Sequence, residues 1–161
     1  LPSAQPVQAA QPIAQVQAAT LEKPPPPAPP APPAALLDPE QADRLAGYSP
    51  GPQRLLAERI AATRKVLQSS PDEHYALELF ITDNTDPARM ERFLLRARDM
   101  VPLEELFVIP MAMGKGYRLW VLFGDFASRD EALEAEKRLP PRYQEAFRTA
   151  PRSFAELRGQ I

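Results

Sequence analysis

The chain is predicted to be α+β: a four-stranded antiparallel sheet with two helices on one face, ferredoxin- or RNP-like, preceded by one helix and a disordered proline-rich linker. Three observations predict it. The runs His74–Thr82 and Gly116–Phe123 alternate their side chains with the period of two that strands require. Each is followed by a helix start, Asp86-Pro87 after the first and Ser128-Arg129-Asp130-Glu131 after the second. Finally, Gly114-Lys115-Gly116 is a tight turn that joins two strands as a hairpin.

In chain order, residues 1–52 are predicted as a linker rich in Pro, Ala and Gln. Twelve of the 21 prolines precede residue 40, and so few large apolar residues accompany them that burial cannot offset chain entropy. The run from Lys23 to Pro33 favours polyproline II, a stiff spacer. Within the linker Asp38-Pro39-Glu40 offers a start for a short helix through Ala46, and 47–52 breaks it. Residues 53–70 are predicted as an amphipathic helix with Leu56, Ile60, Thr63 and Leu67 on one stripe, which needs a surface to pack on, either the domain itself or a partner.

The folded domain is predicted over 74–161. Its first strand places Tyr75, Leu77, Leu79 and Ile81 on one side and Ala76, Glu78 and Phe80 on the other. The helix after Asp86 carries Met90, Phe93, Leu94, Ala97 and Val101 inward and ends before Pro102. The strand 106–113 holds Pro110, which a sheet tolerates best at its edge. In the next strand Tyr117, Leu119, Val121 and Phe123 oppose Arg118, Trp120 and Leu122, and Gly124 ends the run. A second helix is expected from Arg129 to about Leu139, stopped by Pro140-Pro141, then one turn of helix over 142–146 and a last strand over 147–154. Right-handed crossovers on this order put the first and third strands side by side at the centre.

Composition narrows the function. The net charge is −2, and residues 74–161 hold 13 Lys+Arg against 14 Asp+Glu, so no basic footprint argues for nucleic acid. There is no Cys, hence no disulfide and no thiolate metal site. His74 is the sole histidine, and the chain lacks metalloprotease, phosphate-loop, nucleophile-elbow and EF-hand motifs. No catalytic residue, metal ligand or cofactor is predicted. With both helices on one face, the opposite face bears Ala76, Glu78, Phe80, Arg118, Trp120 and Leu122, a mix of aromatic platform and polar contacts suited to binding. The competing reading is that the helix 53–70 or a partner subunit covers that face.

The residues Tyr117, Arg118, Leu119, Val121, Gly124, Phe126, Ser128, Glu131 and Ala132, with Tyr75, Ala76, Leu77 and Leu79 upstream, resemble the SPOR (sporulation-related repeat) domains of bacterial cell-envelope proteins. The resemblance covers roughly residues 74–155. Glu78 stands where that family usually has Gln, and Leu122-Phe123 add two residues before the glycine. The resemblance implies a non-catalytic module that binds denuded peptidoglycan glycan strands through Glu78, Phe80, Arg118, Trp120 and Leu122. It also implies a periplasmic or envelope location, in cell division or a related process. The chain starts at Leu1, so an anchor in the inner membrane is expected upstream. The rival is a protein-protein interaction module of a secretion, pilus or division machine. RNA binding by an RNP-like sheet is a third reading, opposed by the acidic balance.

Overall fold

The computed structural model describes residues 36–161, and the proline-rich segment expected to be a disordered spacer lies outside them. The elements are α1 (Pro39–Ala46), α2 (Arg54–Ser69), β1 (Tyr75–Thr82), α3 (Pro87–Ala97), a 3-10 turn (Leu103–Glu105), β2 (Leu106–Met113), β3 (Gly116–Phe126), α4 (Arg129–Lys137), α5 (Pro141–Ala146), β4 (Ala150–Ser153) and α6 (Phe154–Gly159). The sheet is four-stranded and antiparallel in the order β2-β3-β1-β4, so the two alternating strands are indeed central and adjacent. Pro110 sits on the edge strand β2, where a missing N–H costs no ladder bond to a further strand.

The helix starts follow the capping chemistry read from the sequence. Asp86 accepts the Ala88 N–H at 3.2 Å, and Ser128 accepts the Glu131 N–H at 3.2 Å. α2 has no such cap of its own. Its N-terminal amides are taken instead by the Glu91 carboxylate of α3, at 3.1 Å from Leu55 N and 2.8 Å from Leu56 N, so one helix caps another.

α2 docks along the free edge of β2. Thr63 Oγ1 accepts the Val108 N–H at 2.9 Å and donates to Arg59 O at 2.6 Å, while the buried Arg59 guanidinium donates to the carbonyls of Leu103 (3.1 Å) and Leu106 (3.3 Å). Polar groups that an edge strand would otherwise offer to another chain are thereby satisfied inside the molecule. Of the two roles open to the helix 53–70, packing on the domain is the one observed.

Both faces of the sheet are buried. On the first, Leu77, Leu79, Leu106, Val108, Leu119, Val121 and Phe123 meet Met90, Leu94 and Ala97 of α3, Ala132 and Ala135 of α4, and Leu56 and Ile60 of α2. Leu119 is at its centre and fully buried, as its place on the inward side of β3 predicts. Leu119→Ala is therefore expected to cost about 2 to 5 kcal/mol, read as a lowered urea midpoint. An unchanged midpoint would contradict its position.

On the second face, Ala76, Phe107, Ile109, Met111, Trp120 and Leu122 meet Leu37, Leu45 of α1, Leu67 of α2, and Phe154, Leu157 and Ile161. This layer corrects the expected boundary at 53. Residues 36–52 belong to the folded body: Gln41 Nε2 donates to Arg158 O at 2.8 Å, Arg44 Nη2 to Ile161 O at 2.9 Å, and Tyr48 OH to Thr85 O at 2.8 Å. Tyr117 OH donates to Arg44 O at 2.8 Å and meets the Tyr48 ring edge-on at 5.7 Å. A Cβ at Gly47 would lie 2.3 Å from that Tyr117 oxygen, which is why the chain passes here on a glycine. Burial, with the Asp86 charge adding to it, pushes the Tyr48 phenol up to about 12.

Two bulges interrupt the central pair. Between Glu78↔Leu122 and Phe80↔Val121 β1 carries one extra residue, Leu79, and between Leu77↔Phe123 and Tyr75↔Phe126 β3 carries one at Gly124-Asp125. Gly124 has φ +82, and a Cβ there would lie 2.3 Å from the Phe126 ring, so both conformation and space require glycine.

Candidate binding cleft

Of the five side chains expected to bind on an open sheet face, the structure brings three together. Glu78, Arg118 and Trp120 line one cleft of about 210 Å³ on the second face, with Ile81, Met111 and Met113 from the strands and Arg152, Glu156 and Gln160 beside them. The remainder of that face is closed by its own core.

Phe80 is not in the cleft. The extra residue at Leu79 puts Leu79 and Phe80 in succession toward the helices, where Phe80 stacks on Phe147 at 5.0 Å and meets Phe93 edge-on at 5.2 Å. The same bulge turns Ile81 out into the cleft, opposite Trp120, so the side expected for Ile81 is corrected along with that for Phe80. Leu122 is on the expected face but is 1% exposed, buried under Phe107, Phe154 and Leu157. Phe80 and Trp120, the two aromatics expected to share an open face, lie on opposite faces, and Trp120 is buried, so they do not form the exposed pair on which an RNA-recognition sheet stacks bases.

Trp120 has its place and not its expected role. The ring is 3% exposed, so it forms the cleft floor and offers no face for stacking. Its indole N–H donates to Glu78 Oε1 at 3.0 Å, and Arg152 Nε donates to the same oxygen at 3.0 Å. Arg152 reaches on to Glu156 Oε2 through Nη1 at 3.1 Å. Burial disfavours the Arg152 charge, but Glu78 and Glu156 outweigh it and hold the guanidinium pKa above its ordinary value. Glu78 is thus half of an ion pair whose partner comes from β4.

Arg118 is the more available group. Its Nε lies 2.7 Å from Asp83 Oδ1, a carboxylate on an exposed loop, and such solvent-facing pairs contribute about 0 to 1 kcal/mol. A ligand oxygen replaces Asp83 at little cost. Beside it Ile81 and Met113, 38% and 51% exposed, give an apolar rim.

Glu156 and Gln160 escape the sequence reading because α6 was not expected, and Arg152 because the last strand was given no facing. Its signal was present: Ser153-Phe154-Ala155-Glu156 is an S-x-x-E start, and Ser153 Oγ accepts the Glu156 N–H at 3.1 Å.

His74 sits outside the cleft, its Nδ1 2.7 Å from Asp125 Oδ1, and Ser70 Oγ donates to the other oxygen of the same carboxylate. The carboxylate stands between the serine and the imidazole. A serine nucleophile requires the imidazole in the middle, so this trio pins the start of β1 to the β3 bulge and is not a triad. Among the described residues no group of three His, Asp or Glu side chains is placed to hold a metal, and no helix is long and apolar enough to cross a membrane. No family model, curated protein or solved structure matches the chain.

Proposed function

We propose that the folded unit is a non-catalytic SPOR-like module that binds peptidoglycan glycan strands in the bacterial envelope through the cleft between β1, β3 and α6. The observation that carries this reading is the convergence of Glu78, Arg118 and Trp120, picked out by the resemblance, on one exposed depression. Its lining suits a saccharide carrying carboxylates. Arg118 donates, Glu156 accepts, Gln160 donates and accepts, and the Ile81 and Met113 side chains pack on sugar C–H groups. The preceding proline-rich segment suits a tether that lets the module reach along the wall. Division of the envelope, or assembly of a machine that crosses it, is the setting this implies.

The test is co-sedimentation with purified sacculi before and after amidase removal of the stem peptides. Wild type is expected to bind the stripped sacculi more strongly. Arg118→Ala is expected to weaken binding several-fold, on the order of 1 kcal/mol, with no change in melting temperature because the residue is partly exposed. Absence of binding to either preparation by the folded wild type would reject the glycan reading. It would leave the second reading, an envelope protein-interaction module, which the exposed Ile81 and Met113 side chains favour.

A further inference from the structure

We propose that a second surface, the groove between α3, the end of β1 and α5 on the helical side of the sheet, docks an acidic protein segment bearing one large apolar side chain. The groove encloses about 420 Å³ over a floor of Phe80, Phe93 and Phe147 and has Arg89 and Arg96 on its rim. It continues into a recess of about 270 Å³ beside Tyr143, where Arg142 adds a third guanidinium.

The floor is rigid. Phe80 and Phe147 stack at 5.0 Å, Phe93 meets Phe80 edge-on at 5.2 Å, and Tyr143 closes on Phe147 at 5.1 Å. Such interlocked rings hold a concave apolar surface that an incoming side chain fills without ordering it first. The extra residue at Leu79 is what aims Phe80 here, and bulges recur where a strand re-aims a side chain toward a functional surface.

The rim supplies the sign of the partner. Arg89 and Arg96 stand seven residues apart on α3, two turns on one side of the helix, with Phe93 between them. Both are exposed, as is Arg142, and none has a carboxylate within ion-pair distance among the described residues. Arg118 and Arg152 in the cleft, by contrast, are both paired. Three unpaired guanidiniums around an aromatic floor are complementary to carboxylates flanking an apolar anchor. The near balance of 13 basic and 14 acidic residues over 74–161 favours this local match over a nucleic-acid backbone.

The experiment is fluorescence anisotropy with the full chain and a short fluorescein-labelled peptide of glutamates around one phenylalanine. Saturable binding, at about 100 μM or tighter, is expected. The double variant Arg89→Ala/Arg96→Ala is expected to weaken it by about tenfold or more at unchanged melting temperature. Replacing the peptide's glutamates by glutamine, or its phenylalanine by alanine, is expected to weaken it comparably. Unsaturable binding, equal binding by the arginine variant, or equal binding by the alanine peptide would overturn the proposal. So would tighter binding of anionic lipid vesicles that the same variant abolishes, which would assign the groove to a membrane surface. Sacculus binding by the double variant is expected to match wild type, so this proposal and the glycan reading fail separately.

Discussion

Trp120→Ala is expected to lower stability by about 3 to 5 kcal/mol, a large share of the about 5 to 15 kcal/mol that is typical of a whole domain. Two losses combine. Removing a ring that is 3% exposed opens a cavity among Met111, Leu122, Leu45 and their neighbours that backbone relaxation fills only in part. Glu78 also loses its indole donor and is left to Arg152 alone in a partly buried site. Trp120→Phe separates the two: it keeps most of the packing and removes the N–H, and a loss of about 1 to 2 kcal/mol is expected. Chemical denaturation followed by circular dichroism reads both. A Trp120→Ala protein as stable as wild type would mean that the ring faces solvent, as the alternation of β3 on its own suggests.

The alternation was correct about direction and silent about cover. Arg118, Trp120 and Leu122 do point away from α3 and α4, but the side facing away from two helices is open only if no other part of the chain packs there. The cover comes from Leu37 and Leu45 ahead of the domain, Leu67 of α2, and Phe154, Leu157 and Ile161 at its far end. The two ends contribute two and three apolar residues, too few for a periodic signal, so neither end announces a layer. Phe80 failed for a different reason. A period of two presumes one residue per register step, and the extra residue at Leu79 breaks that count without any Gly or Pro to mark it. At Gly124 the second bulge did carry its mark, but the glycine does not end the strand as expected: β3 runs on through it to Phe126, which pairs with Tyr75. The caps at Asp86 and Ser128, the edge position of Pro110 and the hairpin at Gly114-Lys115 were all readable because each depends on local chemistry. Glu91 capping α2 was not, since the donor helix lies 35 residues upstream of its acceptor.

Removing residues 1–52 is expected to destabilise the domain far more than removing 1–35, although a sequence boundary at 53 treats the two cuts as equivalent. The longer cut takes away Leu37, Leu45 and Tyr48, each less than a tenth exposed. Burying such side chains contributes about 1.5 to 3 kcal/mol apiece, and ordering the segment that carries them offsets part of that gain. Its hydrogen bonds go too: Tyr48 to Thr85, Gln41 to Arg158 O, Arg44 to Ile161 O and Tyr117 to Arg44 O. Without α1, Trp120 and Met111 lose Leu45 from the layer they share, and α6 loses the partner that holds its last turn. A net loss of about 2 to 5 kcal/mol is expected, a drop on the order of 10 to 20 °C in melting temperature between the 36–161 and 53–161 proteins. The cleft itself, made of all four strands and α6, would persist only as far as α6 stays docked, so sacculus binding is expected to fall with stability in the shorter protein. Equal melting temperatures would show that residues 36–52 rest on the sheet without contributing to it. In that case α1 would be a displaceable cover, and the buried face beneath it, with Trp120 at its centre, would return as a surface that a ligand reaches.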